Sequence, residues 1–461
     1  MKQLKAKADD GGKRFNERVY AQKLLKQMPP IRTVGKEWYE YDGAAWMEST
    51  REQFLPQALL TCPKPNRKAR YAQNLLDHVE AQAQVRPETL IGFHRFDFND
   101  KAERSILLNA ANGVVRVALI GDVTTITLDK HKEDLGFTGH SAAQWNEKAE
   151  CPLFMQTLTT ALPDPSDRAL FQVFCGTILW PSAEFETALI SYGEGGTSKS
   201  TLAQAVANVL QGPGDAGSLV TSLSMPQICD SRSYSLPKLG RAALNLCLEV
   251  DTIDLDESTN FKQLVSGEAV EARAIYGKPK AVWTTAKLWF LANSLPRFKT
   301  GTDAELRRLR FLVFDQKTAE DKKDTTLKAR LLAERDGIFR WMVEGLVWLM
   351  ENQRIPAGGE KSQKILDKFA VSNDPVGTFV KRRCVFDAGA RTAKDTLQAA
   401  YEDFLDDHGL PHSQKEWFFR RLFERWSSSV RATRTSSGTG AKERKIVGLK
   451  LTDEAMMGLV G

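Results

Sequence analysis

The chain is poor in the features that mark membrane, secreted and metal-scaffold proteins. No apolar run approaches the ~20 residues needed to cross a bilayer. The opening stretch, Met1 to Asp10, lacks the apolar core of a signal peptide. Six cysteines (Cys62, Cys151, Cys175, Cys229, Cys247 and Cys384) are scattered without a C-x-x-C pair, which argues against a zinc ribbon and for a reducing cytoplasm. The six histidines form no metal-ligand spacing. Neither sign of charge dominates, since 64 Lys and Arg against 58 Asp and Glu leave only +6. That permits a nucleic-acid partner without requiring one. What remains, 461 residues that are 42% hydrophobic and 26% charged, describes a soluble globular chain of two or three domains.

The stretch from Thr187 to Val206 organises the rest. A short apolar run to Tyr192 reads as a buried strand, followed by Gly193, Glu194, Gly195, Gly196, Thr197 and Ser198. Lys199, Ser200 and Thr201 then open a helical Ala/Leu/Val run. Strand, glycine loop, Lys-Ser and helix form the layout of a phosphate-binding P-loop. Glycines let successive N–H groups curl toward phosphate oxygens, and the helix N-terminus adds partial positive charge. Lys199 is placed to reach the β- and γ-phosphates of ATP and Ser200 to hold Mg²⁺. Ser198 departs from the pattern, standing where the last glycine is expected.

Upstream, a helix is expected over Asn16 to Gln27, and Glu37 to Trp46 reads as a β-hairpin around Asp42-Gly43. A helical stretch from Asn66 to Gln84 and strand-like runs at 90–98 and 112–128 follow. The text turns helical from Asn146, with helices at 149–158 and 166–179, so a domain boundary is placed near residue 148. The acid alternation Phe96 to Asp100 lacks the further acids and histidine of a polymerase metal site, so primase activity is not expected.

Downstream, Gly212 to Gly214 ends the P-loop helix and Ala242 to Leu248 is a second buried strand ending on Glu249, with Asp251 two residues on. An acid at the tip of a central parallel strand beside a P-loop is where Mg²⁺ and the attacking water sit, so Glu249 is assigned to polarise that water. A third strand, Lys287 to Ala292, ends on Asn293, whose amide suits a γ-phosphate or its water. Between them two short β-runs bracket Lys278 and Lys280 as a basic hairpin, and Arg307 and Arg308 precede a further strand.

Arg354 to Ser362 reads as a linker. Beyond it, helices are expected at 374–383 and 393–407, then a third opened by a capping box from Ser413 to Glu416. That third helix is expected to bury Trp417, Phe418, Leu422 and Trp426 and to present Lys415, Arg420, Arg421 and Arg425. Strands at 430–433 and 446–451 flank a basic loop carrying Lys442, Arg444 and Lys445. Three helices and a two-stranded ribbon suggest a winged helix. Ten Lys and Arg against three Glu between Lys415 and Lys450 suit that loop to lying along DNA phosphates.

In order and spacing these motifs resemble the superfamily 3 helicases, and within them the helicase half of phage and plasmid primase-helicases, with the poxvirus primase-helicase as a relative. The hairpin with Trp46, the segment Leu107 to Val115, Phe261 to Glu268, Ala286 to Asn293, Arg307-Arg308 and Asp336 to Met342 carry the resemblance. It implies an α/β chain with an AAA+-like P-loop ATPase core at 148–355, an α+β domain at 1–147 before it and a winged helix at 369–461 after it. It also implies a homo-oligomeric ring, usually a hexamer, translocating on single-stranded and forked DNA with Mg²⁺ and ATP, alongside a separate primase or polymerase. The implied setting is the cytoplasm of a bacterial host, with no membrane partner. Lys199, Ser200 and Glu249 then make the cis half of the ATP site and Asn293 resembles the sensor amide. Arg307 and Arg308 resemble an arginine-finger pair reaching the neighbouring subunit's γ-phosphate, and Lys278 to Lys280 a pore hairpin. The residues leave open a second reading, a DNA-binding initiator or loader for which ATP is an assembly switch, and a third, a regulatory or packaging ATPase that does not unwind.

Overall fold

In the computed structural model, the apolar runs around the glycine loop align as one five-stranded parallel sheet. Its order is Leu309–Val313, Ala188–Tyr192, Lys287–Ala292, Leu244–Val250, Val220–Thr221. The strands are apolar on both sides because both faces are covered. Alternate residues divide between two cores, as a period of two requires. Leu189, Trp289, Leu291 and Leu312 enter one, with helices Pro165–Ile178, Lys199–Leu210 and Arg335–Asn352. Ala188, Ile190, Leu288, Phe290 and Phe311 enter the other, with helices Met225–Cys229 and Thr259–Val265. The long helices approach closely at a pair of glycines: a Cβ on Gly176 would lie 2.4 Å from the carbonyl carbon of Gly345. The structure describes residues 15–97, 104–211, 219–230, 232–250, 254–255, 259–274, 277–295, 297–298, 303–317, 324, 326–436 and 442–458. Gly212 to Gly214, Asp251 and Phe98 to Asp100, all considered above, lie outside these residues, as does the side chain of Glu249.

The amino-terminal third supplies two antiparallel sheets. Helix Glu17–Leu25 begins at Asn16, whose side chain accepts from Val19 N. The expected hairpin is present as Glu37–Tyr41 paired with Trp46–Ser49, joined also to Ile31–Val34. Its turn has four residues, because the Asp42 carboxylate accepts from both Ala44 N and Ala45 N at 2.8 Å. Four further strands, His94–Phe96, Arg104–Ala110, Gly113–Ile120 and Val123–Asp129, form a meander. Ile106, Leu108, Val115 and Val117 from this meander share one apolar cluster with Phe171, Phe174 and Trp341, so packing continues across residue 147.

Past the left-handed Gln353, which ends the long helix, the chain departs from the linker expectation. Helix Glu360–Asn373 lies along the edge strand of the parallel sheet. Phe369 and Phe311 rings are 5.2 Å apart, and Val313 N donates to Ser362 Oγ at 3.2 Å. A third apolar core then gathers helices Pro375–Arg383, Lys394–Asp407 and Lys415–Trp426. Strand Cys384–Ala393, unexpected from sequence, joins strands Arg431–Ser436 and Lys442–Leu451 in a sheet with Lys442–Leu451 at its centre. Two details differ from expectation. Phe419 is buried in place of Trp417 and Trp426, which sit half-buried at the rim. The helix begins at Lys415 with Gln414 as a cap that makes no side-chain bond, so the Ser413 capping box is not formed.

Candidate functional site

The glycine loop leaves the carboxyl end of strand Ala188–Tyr192 between two neighbouring strands. Gly193 N donates to Ala292 O at 3.1 Å, and Phe314 N donates to Tyr192 O at 2.8 Å. Gly193 has φ +152°, and a Cβ there would lie 2.0 Å from Phe314 O, so this first position admits glycine alone. Gly195 and Gly196 face open space, the arrangement needed for a ligand to approach the backbone. Ser198 adopts φ 63° and ψ 7°, the left-handed conformation a glycine would take. The departure from the usual pattern is therefore accommodated by strain rather than by a different loop path.

Lys199 is 7% exposed and folds back over the loop. Its ammonium donates to Gly193 O at 2.5 Å and Glu194 O at 2.6 Å. It also stands 3.3 Å from Thr197 Oγ1 and 3.4 Å from Asn293 Oδ1. Burial lowers its pKa from the ordinary lysine value, with Glu194 opposing. Those partners are neutral dipoles, which an incoming phosphate would outcompete by carrying charge. Ser200 is exposed and Thr201 half-buried in the first turn of the helix, where a metal-bridged phosphate would lie. Glu194 is turned outward onto Lys317, which holds its carboxyl below the usual range. Asn293, exposed at the tip of the adjacent strand, is thus brought to Lys199 of the glycine loop. Glu249 lies on strand Leu244–Val250, the next strand beyond.

The two arginines separate. They end helix Asp303–Arg308, immediately before strand Leu309–Val313. Leu309 pairs with Ala188 and Val313 with Tyr192, so the arginines stand at the opposite end of the sheet from the glycine loop. Four strand steps of about 3.3 Å put some 13 Å of sheet between those ends, beyond an arginine's reach to its own loop. Arg307 is 64% exposed, held loosely by Glu186 at 3.5 Å. Arg308 is 7% exposed and turned inward: its guanidinium meets Glu186 Oε2 at 3.1 Å and donates to Ser266 Oγ at 3.0 and 2.7 Å. Glu186 carries no motif of its own, and Ser266, although within the stretch Phe261 to Glu268, has nothing in its sequence that ties it to the arginines.

The basic residues also differ in freedom. Lys278 is exposed, while Lys280 lies on strand Lys280–Val282, 3.8 Å from Glu37 of the amino-terminal hairpin. On the carboxyl-terminal helix, Arg420 and Arg421 are at least half exposed and loosely paired with Glu424, at 4.0 and 3.7 Å. Arg425 is instead bound to Asp374, and Lys415 to Asp395. Arg444 is exposed and Lys445 half-buried on strand Lys442–Leu451, and the side chain of Lys442 lies outside the described residues.

Fold and site together define a mixed α/β protein whose central parallel sheet carries a glycine loop and lysine at its carboxyl edge. A model for a family of unknown function, DUF5906, matches residues 191–308, the span from the glycine loop to the arginine pair. Comparison with curated proteins gives no match. Among solved structures, the chain is similar to the A form apo structure of the NrS-1 C-terminal region, with a TM-score of 0.54 and 11% identity. The match covers 94% of this chain and 99% of that one. A further apo structure of the same region is similar at a TM-score of 0.53 and 12% identity, with the same coverage. At this identity the likeness concerns the fold. Among the described residues, no helix is long and apolar enough to cross a membrane.

Proposed function

We propose that this chain is the subunit of an ATP-driven DNA helicase of the superfamily 3 type, working as a homo-oligomeric ring, by expectation a hexamer. The observation that carries the reading is the buried ammonium of Lys199, held by Gly193 and Glu194 carbonyls and touching the Asn293 amide from the neighbouring parallel strand. A lysine, a glycine loop and a polar strand tip converging at one sheet edge suit phosphoryl transfer, which needs positioning and charge more than covalent chemistry. The strand order supports an AAA+-like core, because the strand ending on Asn293 separates the P-loop strand from the one bearing Glu249. The reading places the chain in phage or mobile-element replication, and its fold is similar to that of the NrS-1 C-terminal region.

In this reading Lys199 binds the β- and γ-phosphates of ATP, Glu249 orients the attacking water and Asn293 contacts the γ-phosphate. Ser200 and Glu249 would hold Mg²⁺, which when bound neutralises charge on the phosphates. The exposed serine directly after the P-loop lysine fits that ion. Arg307 is the finger, reaching the site of the next subunit. Arg308 positions it by fixing the end of its helix to Glu186 and Ser266.

The division at 1–147, 148–355 and 369–461 accompanies this reading, with helix Glu360–Asn373 tying the last part to the core. The last part's order of helix, strand, two helices and a hairpin, with the hairpin's second strand at the sheet centre, supports a winged helix. Single-stranded and forked DNA are the substrates, and a primase or polymerase acts beside it in the host cytoplasm.

The test is ATP hydrolysis with and without single-stranded DNA, run beside strand displacement on forked DNA. The reading expects DNA-stimulated turnover and displacement. ATP-dependent assembly with little turnover would instead identify an initiator or loader. Turnover on duplex without displacement would identify a packaging ATPase.

A further inference from the structure

The turn Leu236–Gly240 and the hairpin Val270–Ala272 with Lys280–Val282 form one unit on the surface of the core. Thr284 Oγ1 donates to Leu239 O at 2.6 Å, locking the end of the hairpin to the turn. Trp283 follows the hairpin and is 64% exposed, whereas Trp38, Trp46, Trp180, Trp289 and Trp341 are each 6% exposed or less. Tyr234, just before the turn, is 47% exposed. Arg273 donates to its phenol at 2.9 Å and lies 5.2 Å from its ring centre. An exposed tryptophan and an exposed tyrosine on one unit present ring faces on which a flat, apolar-faced ligand can stack.

The charge around these rings indicates which ligand. Lys238, Arg273 and Lys278 are exposed and make no ion pair among the described residues. Trp283 also borders a cleft of about 1230 Å³ between the hairpin and the amino-terminal sheet, lined further by Tyr39, by Glu88 and Glu184, and by Arg241 and Lys280, which are paired with Glu37. That volume exceeds the about 300–1,000 Å³ of small-molecule pockets and suits an extended chain. Aromatic faces interleaved with unneutralised cations are how proteins hold single strands, bases on rings and phosphates on cations.

We propose that Trp283, with Tyr234 on the same unit, is a base-stacking platform for single-stranded DNA, flanked by phosphate contacts from Lys238, Arg273 and Lys278. The inference rests on the helicase reading above and adds to it: the basic hairpin holds the backbone, and the aromatic platform selects unpaired bases. Stacking tolerates any base, so the platform distinguishes single strand from duplex without reading sequence.

The experiment measures anisotropy of labelled oligo(dT) and of an abasic strand of equal length with the full chain at several salt concentrations. Trp283→Ala should weaken oligo(dT) binding about tenfold, which is about 1.4 kcal/mol, with an unchanged salt slope. Trp283→Phe should retain most of the affinity. The abasic strand should bind the wild type and Trp283→Ala equally. Lys278→Ala should instead lower the salt slope by about one. Equal oligo(dT) binding by Trp283→Ala and wild type, or an equal loss on both strands, would overturn the proposal. So would a Trp283→Ala protein that sediments differently yet binds DNA unchanged, marking a subunit contact. A wild type that binds no single strand fails the helicase reading as well; one that binds, with Trp283→Ala unaffected, fails this inference alone.

Discussion

Replacing Arg308 with alanine separates structural from catalytic arginine at a site where sequence shows two equivalent candidates. The guanidinium lies 3.1 Å from Glu186 Oε2. At an effective dielectric near 20 that contact is worth at most about 5 kcal/mol. Because Glu186 is 38% exposed, water screens the pair, and about half or less of that survives. The bonds to Ser266 Oγ, at 3.0 and 2.7 Å, are made by a charged donor and add about 1.5–3 kcal/mol before the cost of burying the group is subtracted. A net loss of about 2–4 kcal/mol is therefore expected for Arg308→Ala. Arg307, exposed and 3.5 Å from the same carboxylate, should lose less than about 1 kcal/mol on the same change. Urea denaturation of the nucleotide-free protein measures both, and steady-state ATP hydrolysis supplies the second axis. Arg307→Ala should unfold near the wild-type midpoint yet hydrolyse little. If Arg308→Ala unfolds at the wild-type midpoint and its lost hydrolysis returns on mixing with Lys199→Ala, the assignment of the two arginines is reversed.

Three further outcomes follow from the geometry. Ser198→Gly should relieve the left-handed strain and stabilise the protein by up to about 1 kcal/mol, whereas Ser198→Val should destabilise it and weaken nucleotide binding, both read by thermal unfolding with and without ATP. Lys287 is fully buried, with its pKa lowered to about 7 by desolvation against a weaker pull from Glu184. The unfolded chain then binds more protons above pH 7, so stability should rise with pH toward the ordinary lysine value, by at most about 1.4 kcal/mol per unit. In Lys287→Met that rise should disappear from urea midpoints. A chain ended at residue 355 loses the helix covering Phe311 and Val313 and should aggregate or unfold more readily than one ended at 374, and Phe369→Ala should cost about 3–5 kcal/mol.

The strand and helix that flank the glycine loop, the strand ending on Asn293 and the amino-terminal hairpin were legible because each is a local pattern bounded by turn residues. Strand Cys384–Ala393 was not, since Asp387-Ala-Gly389 reads as a turn; the structure makes it a bulge, with the register shifting between Asp387 and Arg391. Helix Glu360–Asn373 was hidden by its polarity, with Ile365, Leu366 and Phe369 its contacts with the core. Within the candidate site, lysine, glycines and amide announced themselves by spacing. The inward turn of Arg308 did not, because it depends on Glu186 and Ser266, which are distant in sequence.

The central claim is that one triphosphate is shared, Lys199 coming from one subunit and Arg307 from the next. Mixing Lys199→Ala with Arg307→Ala tests it most directly, each variant being inactive alone. In a randomly mixed ring with head-to-tail interfaces, about a quarter of the sites recover both groups, so hydrolysis should return to roughly a quarter of the wild-type rate. Mixtures that co-assemble yet remain as inactive as their components would contradict it.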